Sequence, residues 1–86
     1  MKTTKLNRRE KTILKEFAAL LKEHQIGIEA RDVIIYDKHG HSLAFDRIAT
    51  QSDYGSDYEL WAHRSAKVQI SDNREFRTHK NKVIEE

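Results

Sequence analysis

The sequence predicts an α+β domain: an N-terminal helix packed on an antiparallel β-sheet of three to five strands, with a short or frayed C-terminal tail. Three observations carry this. Apolar residues recur at helical spacing between 7 and 25, they alternate with polar ones between 26 and 46, and they alternate again between 58 and 71. The remaining stretches, 47–57 and 72–86, read as a loop and a basic tail. Eighty-six residues make one domain, and a chain of this size buries only ~60–65% of its unfolded surface, so the core is thin.

The helix is the clearest element. Asn7 stands where a cap is wanted, and Glu10 three residues later completes a capping box. Ile13, Leu14, Phe17, Leu20 and Leu21 then follow the i, i+3, i+4, i+7 rule, with Ala18 on the flank. Gly27 supplies a left-handed stop just beyond the end. A helix with one apolar stripe needs a surface to cover, and the next segment provides it. Asp32-Val-Ile-Ile-Tyr-Asp37 and His41-Ser-Leu-Ala-Phe-Asp46 are strands, joined by Lys38-His39-Gly40. A three-residue loop ending in glycine is the sequence of a type I turn with a G1 bulge. That register sets Val33 opposite Phe45 and Ile35 opposite Leu43 on the helix side, and leaves Ile34, Tyr36, Ser42 and Ala44 on the other. The alternation of Ile26, Ile28 and Ala30 slips at Arg31-Asp32, which predicts a bulge or tight turn there.

Residues 47–57 are rich in turn-formers and read as a loop. Tyr58, Leu60 and Ala62, then Ala66, Val68 and Ile70, alternate as a second hairpin turning near Arg64-Ser65. In the tail only Phe76, Val83 and Ile84 are apolar anchors, and the seven-residue interval from Phe76 to Val83 would suit a short amphipathic helix.

Composition bounds function. With no cysteine there can be no disulfide, no thiolate nucleophile and no zinc ribbon. No apolar run approaches the ~20 residues that span a bilayer, and the basic N-terminus lacks the apolar stretch of a secretory signal. These features point to a cytoplasmic protein without a membrane partner. The net charge of +2 conceals a division: +4 over residues 1–26, −4 over 27–60 and +2 over 61–86.

Chemistry finds little purchase, and no cofactor is expected. His39 and His41 flank Gly40 beside Asp37, but an H-x-H pair without a third ligand is a turn feature rather than a metal site. His63, Asn73 and His79 follow the order used by metal-dependent nucleases, in which one histidine is the general base and another holds the cation. Ala62 stands where that arrangement wants an aspartate, and the interval from Asn73 to His79 is short. The glycines are too scattered to cradle a phosphate, and Asp53, Asp57 and Glu59 lack the spacing of a calcium loop. The sequence therefore ranks a nuclease third and predicts no enzyme.

Two binding readings remain. Residues 52–61, Ser-Asp-Tyr-Gly-Ser-Asp-Tyr-Glu-Leu-Trp, interleave Tyr54, Tyr58 and Trp61 with Asp53, Asp57 and Glu59. Aromatic residues of this kind dominate protein interfaces, and an acidic rim steers them to a basic surface. The first expectation is a stoichiometric regulator or inhibitor that binds a nucleic-acid-handling protein through these six residues. An accessory, anti-defence protein of a phage or mobile element would be of this kind. The second is direct nucleic-acid binding through the basic ends, by Arg8, Arg9, Lys11 and Lys15 and by Arg64, Lys67, Arg74, Arg77, Lys80 and Lys82. Free sheet edges would also permit a homodimer.

Overall fold

A computed structural model describes residues 6–52, 58–65 and 74–85. Helix α1 (Arg8–Glu23) is followed by β1 (Glu29–Tyr36), β2 (Ser42–Ser52), β3 (Tyr58–Arg64), β4 (Arg74–His79) and β5 (Lys82–Glu85). The strands form one antiparallel meander in chain order, β1-β2-β3-β4-β5. The helix crosses one face of this sheet, touching β2, β3 and β5. An N-terminal helix on a five-stranded antiparallel sheet is the α+β architecture expected from the sequence.

The capping box forms as predicted. Asn7 Oδ1 accepts the N–H of Glu10 at 2.8 Å, and Glu10 Oε1 accepts the N–H of Asn7 at 3.0 Å. Ile13, Leu14, Ala18 and Leu21 are buried, with Phe17 packed alongside. Leu20 is 49% exposed, so the buried stripe runs through Ile13, Leu14, Ala18 and Leu21 and leaves Leu20 outside it.

The helix stops two residues earlier than Gly27. His24 is the C-cap, and Gln25 takes the left-handed conformation at φ 53°. The N–H of Ile26 bonds to the Leu21 carbonyl at 2.9 Å and that of Gln25 to Lys22 at 3.2 Å, the pair of bonds that defines a Schellman end. Gly27 serves close approach instead, since a Cβ there would lie 3.3 Å from Thr50 Oγ1. A left-handed glutamine carries steric cost that glycine lacks, while glycine costs more chain entropy. The first term is the larger, so Gln25→Gly is expected to stabilise the protein by about 0.5–1 kcal/mol. Thermal unfolding checks this, and a lowered Tm would contradict it.

The first hairpin has the expected register, with Val33 opposite Phe45 and Ile35 opposite Leu43. Gly40 has φ 84°, and its N–H bonds to the Asp37 carbonyl at 3.1 Å. Asp37 fixes this turn through its side chain. Its carboxylate accepts the N–H groups of His39 and His41, each at 2.9 Å, and lies 3.1 Å from His41 Nδ1. Burial pushes this carboxyl up, but the bonds from His41 and His39 outweigh it and hold the group below its ordinary 3.8. A carboxyl lowered on folding adds stability above its unfolded value and loses it as pH falls through the folded one. The turn should therefore loosen in acid, as pH falls below the ordinary aspartate value. An NMR titration of Asp37 with a midpoint at or above the ordinary aspartate value would contradict this.

The slip at Arg31-Asp32 is not a bulge. The register is the same on either side of it, Arg31 opposite Arg47 and Val33 opposite Phe45, and the ladder is interrupted only at Asp32. Asp32 instead adopts φ 53°, a conformation aspartate tolerates better than most residues. The buried set of β2 shifts at the same level, from Leu43 and Phe45 to Ile48.

Two further expectations are corrected. The segment 47–57 is not a loop from its start, because β2 continues to Ser52 and pairs with β3 from Arg47–His63 to Ser52–Tyr58. The tail is not a helix over its described residues, 74–85: it supplies β4 and β5. The partner of β3 is thus β4, with Trp61 opposite Arg77 and Ala62 opposite Phe76. The predicted partner strand, 66–71, lies outside the described residues. Lys80 and Asn81, at φ 52° and 66°, make the two-residue type I′ turn that joins β4 to β5.

The core gathers Leu43, Phe45, Ile48, Leu60, Ala62 and Phe76 from the sheet beneath the helix. Thr78 is buried with them, and its Oγ1 accepts the Leu60 N–H at 3.2 Å. Arg64 is also buried: its Nη2 meets Glu10 Oε2 at 3.0 Å, and its Nε donates to the Ala44 carbonyl at 3.3 Å. The guanidinium lies 5.4 Å from the centre of the Phe45 ring, which itself meets Phe76 edge-on at 6.4 Å. Helix start and sheet centre are thereby tied through one charged side chain.

Candidate functional site

The helix covers one face of the sheet, and no described element covers the other. Alternation in β3 sets the open face. Leu60, Ala62 and Arg64 turn inward, so Glu59, Trp61 and His63 turn outward. Pairing then builds two rows across the open face: Ala49, Trp61, Arg77 and Ile84 in one, and Arg47, His63 and Glu75 in the next. Ile34 and Tyr36 continue the same face on β1, at 55% and 65% exposure.

Trp61 is half-buried at the centre of this surface. The Arg77 guanidinium stacks 4.6 Å from the ring centre, an arrangement that holds both side chains in one orientation. The indole Nε1 is covered and meets no acceptor among the described residues. On the other side, Ala49 is too small to fill the space opposite the indole. A depression of about 260 Å³ opens there, lined by Arg47, Ala49, Gln51, Trp61, His63 and Glu75. Two of its polar groups are approached by carboxylates from outside that lining: Arg47 pairs with Glu29 at 2.9 Å, and His63 Nδ1 lies 4.0 Å from Asp46 Oδ2.

The sequence-predicted contact set divides accordingly. Trp61 and Glu59 belong to β3, with Glu59 half-buried opposite Gln51. Tyr58 is the first residue of β3 and pairs with Ser52 through its backbone. Asp53, Tyr54 and Asp57 lie outside the described residues, in the connection between β2 and β3. Tyr36, Ile84 and Arg77 were not in that set. The register of the first hairpin already puts Tyr36 on this face, whereas Arg77 and Ile84 join it through the pairing of β4 and β5, which the sequence does not display.

The basic set divides further. Arg64 is enclosed by the fold and bound to Glu10, so it is withdrawn from any contact with nucleic acid. Arg74 is half-buried and pairs with Glu85 at 3.1 Å, and Arg77 is stacked on Trp61. Lys80 is exposed in the last turn, and Lys67 lies outside the described residues. Arg8, Arg9 and Lys11 are exposed on the first turns of α1. The meander brings Lys82 beside Arg8, Lys11 and Lys15, so one cation of the C-terminal end joins three of the N-terminal end.

The histidines do not assemble. His63 pairs with Glu75, whereas His79 stands four residues further along β4, a separation of roughly 13 Å at strand spacing. Asn73 lies outside the described residues. His39 and His41 hold the first turn, their ring centres 6.2 Å apart. Among the described residues no three metal-binding side chains gather, and no helix is long and apolar enough to cross a membrane. No protein-family model, curated protein or solved structure matches the chain.

Proposed function

We propose that this protein is a stoichiometric protein-binding regulator or inhibitor that docks through the open face of its sheet. The observation that carries the reading is the position of Trp61. A lone tryptophan stands at the centre of a face that no described element covers, stacked by Arg77 and flanked by a depression. Tryptophan, tyrosine and arginine dominate the energetics of protein interfaces because they bring large area at low entropic cost. Exposed Ile34, Tyr36 and Ile84 on the same face extend the apolar area. Binding rather than chemistry is favoured because Arg47 and His63 there are already approached by neighbouring carboxylates.

The partner surface should be basic where it meets the end of β3. Glu59 lies at that end, and Asp53 and Asp57 precede it in the chain. A nucleic-acid-handling protein offers such a surface, and the carboxylates would stand where phosphates otherwise bind. The test is affinity capture from the source cell with wild-type and Trp61→Ala baits, followed by titration with the purified species. A 1:1 complex formed by wild type and lost with Trp61→Ala supports the reading. A complex indifferent to that change overturns it, as does self-association through the same face.

A further inference from the structure

We infer that the groove between α1 and β5 is a second, separate site, which binds the phosphodiester backbone of nucleic acid. Arg8, Lys11 and Lys15 follow one another on the helix at i, i+3 and i+7, and Lys82 from the start of β5 lines the same depression of about 260 Å³. Thr12 and Val83 complete its lining. No carboxylate lies three or four residues from any of the three helix cations along this row. None of the four pairs with a carboxylate among the described residues, whereas Arg47, Arg64 and Arg74 each hold one.

This placement works against the fold. Cations at the N-terminal half of a helix oppose its dipole, and like charges at i, i+3 and i, i+4 repel one another. Local rules broken together, without internal compensation, mark sites maintained for a ligand. The ligand that relieves both penalties is an anion. The array is linear, with neighbours roughly 5–6 Å apart and about 10 Å from first to last along the helix. That shape suits a strand of successive phosphates better than a single small anion. The chain as a whole carries only +2, so the attraction belongs to the groove rather than to general basicity.

Four phosphate contacts set the expected salt dependence. Affinity should fall with a log–log slope of about −3.6 for duplex DNA or about −2.8 for a single strand, a loss of roughly 50- to 150-fold between 50 and 200 mM salt. The experiment is fluorescence anisotropy with labelled duplex and single-stranded oligonucleotides. It compares wild type, Lys11→Gln/Lys15→Gln, and the equally neutralised control Arg31→Gln/Lys38→Gln, whose sites are exposed and distant in sequence from the groove. The groove variant should halve the slope and weaken low-salt binding at least tenfold, with its Tm unchanged or raised because like charges have been removed. The control should bind as wild type does, and so should Trp61→Ala, which keeps this site distinct from the protein-docking face. The inference is overturned by no binding at about 20 mM salt, where four contacts should suffice. It is overturned equally by a control that weakens as much as the groove variant, or by polyglutamate displacing the oligonucleotide at equal charge concentration.

Discussion

Glu10→Ala is expected to destabilise the protein by about 3–5 kcal/mol, because it leaves a buried guanidinium without its counter-charge. Arg64 is fully buried and Glu10 is only 14% exposed, so little water can replace the lost carboxylate. Arg64 Nη1 already lacks a hydrogen-bond partner, so the site has no spare acceptor. The same glutamate also closes the helix cap through Oε1, which adds a smaller loss. Against the roughly 4–13 kcal/mol total stability of a domain this size, the loss takes between about a quarter and all of it. Glu10→Gln separates the two roles, since a glutamine can still accept the Asn7 N–H while removing the charge. The double variant Glu10→Gln/Arg64→Met removes the ion pair altogether and should be more stable than Glu10→Ala alone. Urea unfolding of the set measures the coupling. A loss below about 1 kcal/mol for Glu10→Ala, the range of an exposed pair, would show that the pair is solvated rather than enclosed.

Trp61→Ala is expected to weaken partner binding by at least about 2 kcal/mol, or roughly 30-fold, while leaving the fold intact. The stability cost should be smaller. The Arg77 stack at a half-exposed site contributes about 0.5–1 kcal/mol, and the indole is only partly removed from water. Trp61→Phe keeps a ring for Arg77 but gives up area and the indole N–H, so it should fall between the two. Cooperative thermal unfolding of each variant shows that lost binding is not lost folding. Equal loss in stability and binding would assign Trp61 to the structure rather than to an interface.

The parts legible in the sequence are those whose signals are local. Asn7 and Glu10 announce the helix, and Lys38-His39-Gly40 between two alternating apolar runs fixes a hairpin down to its register. Trp61 on the open face follows from alternation with Leu60. The hidden parts depend on partners distant in sequence. Arg64 looks like a turn residue, and only its pairing with a glutamate 54 positions earlier explains its burial. Arg74–His79 offers a single large apolar residue, Phe76, and so lacks the apolar alternation of a strand; its inward neighbour is the threonine that bonds to β3. The seven-residue interval from Phe76 to Val83 mimics a helix, and the turn between them uses Lys80 and Asn81 where glycine would have given it away. Because β4 and β5 are not legible, neither is the meeting of Lys82 with the helix cations, nor the stacking of Arg77 on Trp61. On β2, the break between Phe45 and Ile48 hides the second half of an 11-residue strand as a loop.

Trp61 is the centre of the proposed docking surface, and the chain contains no other tryptophan. Protein labelled with 5-fluorotryptophan therefore gives a single fluorine resonance, which can be followed while the captured partner is added. Docking through the open face predicts that this resonance is replaced or displaced, with saturation at one partner per chain. A complex that forms, as judged by its size on gel filtration, while the Trp61 resonance keeps its position and width would contradict the account.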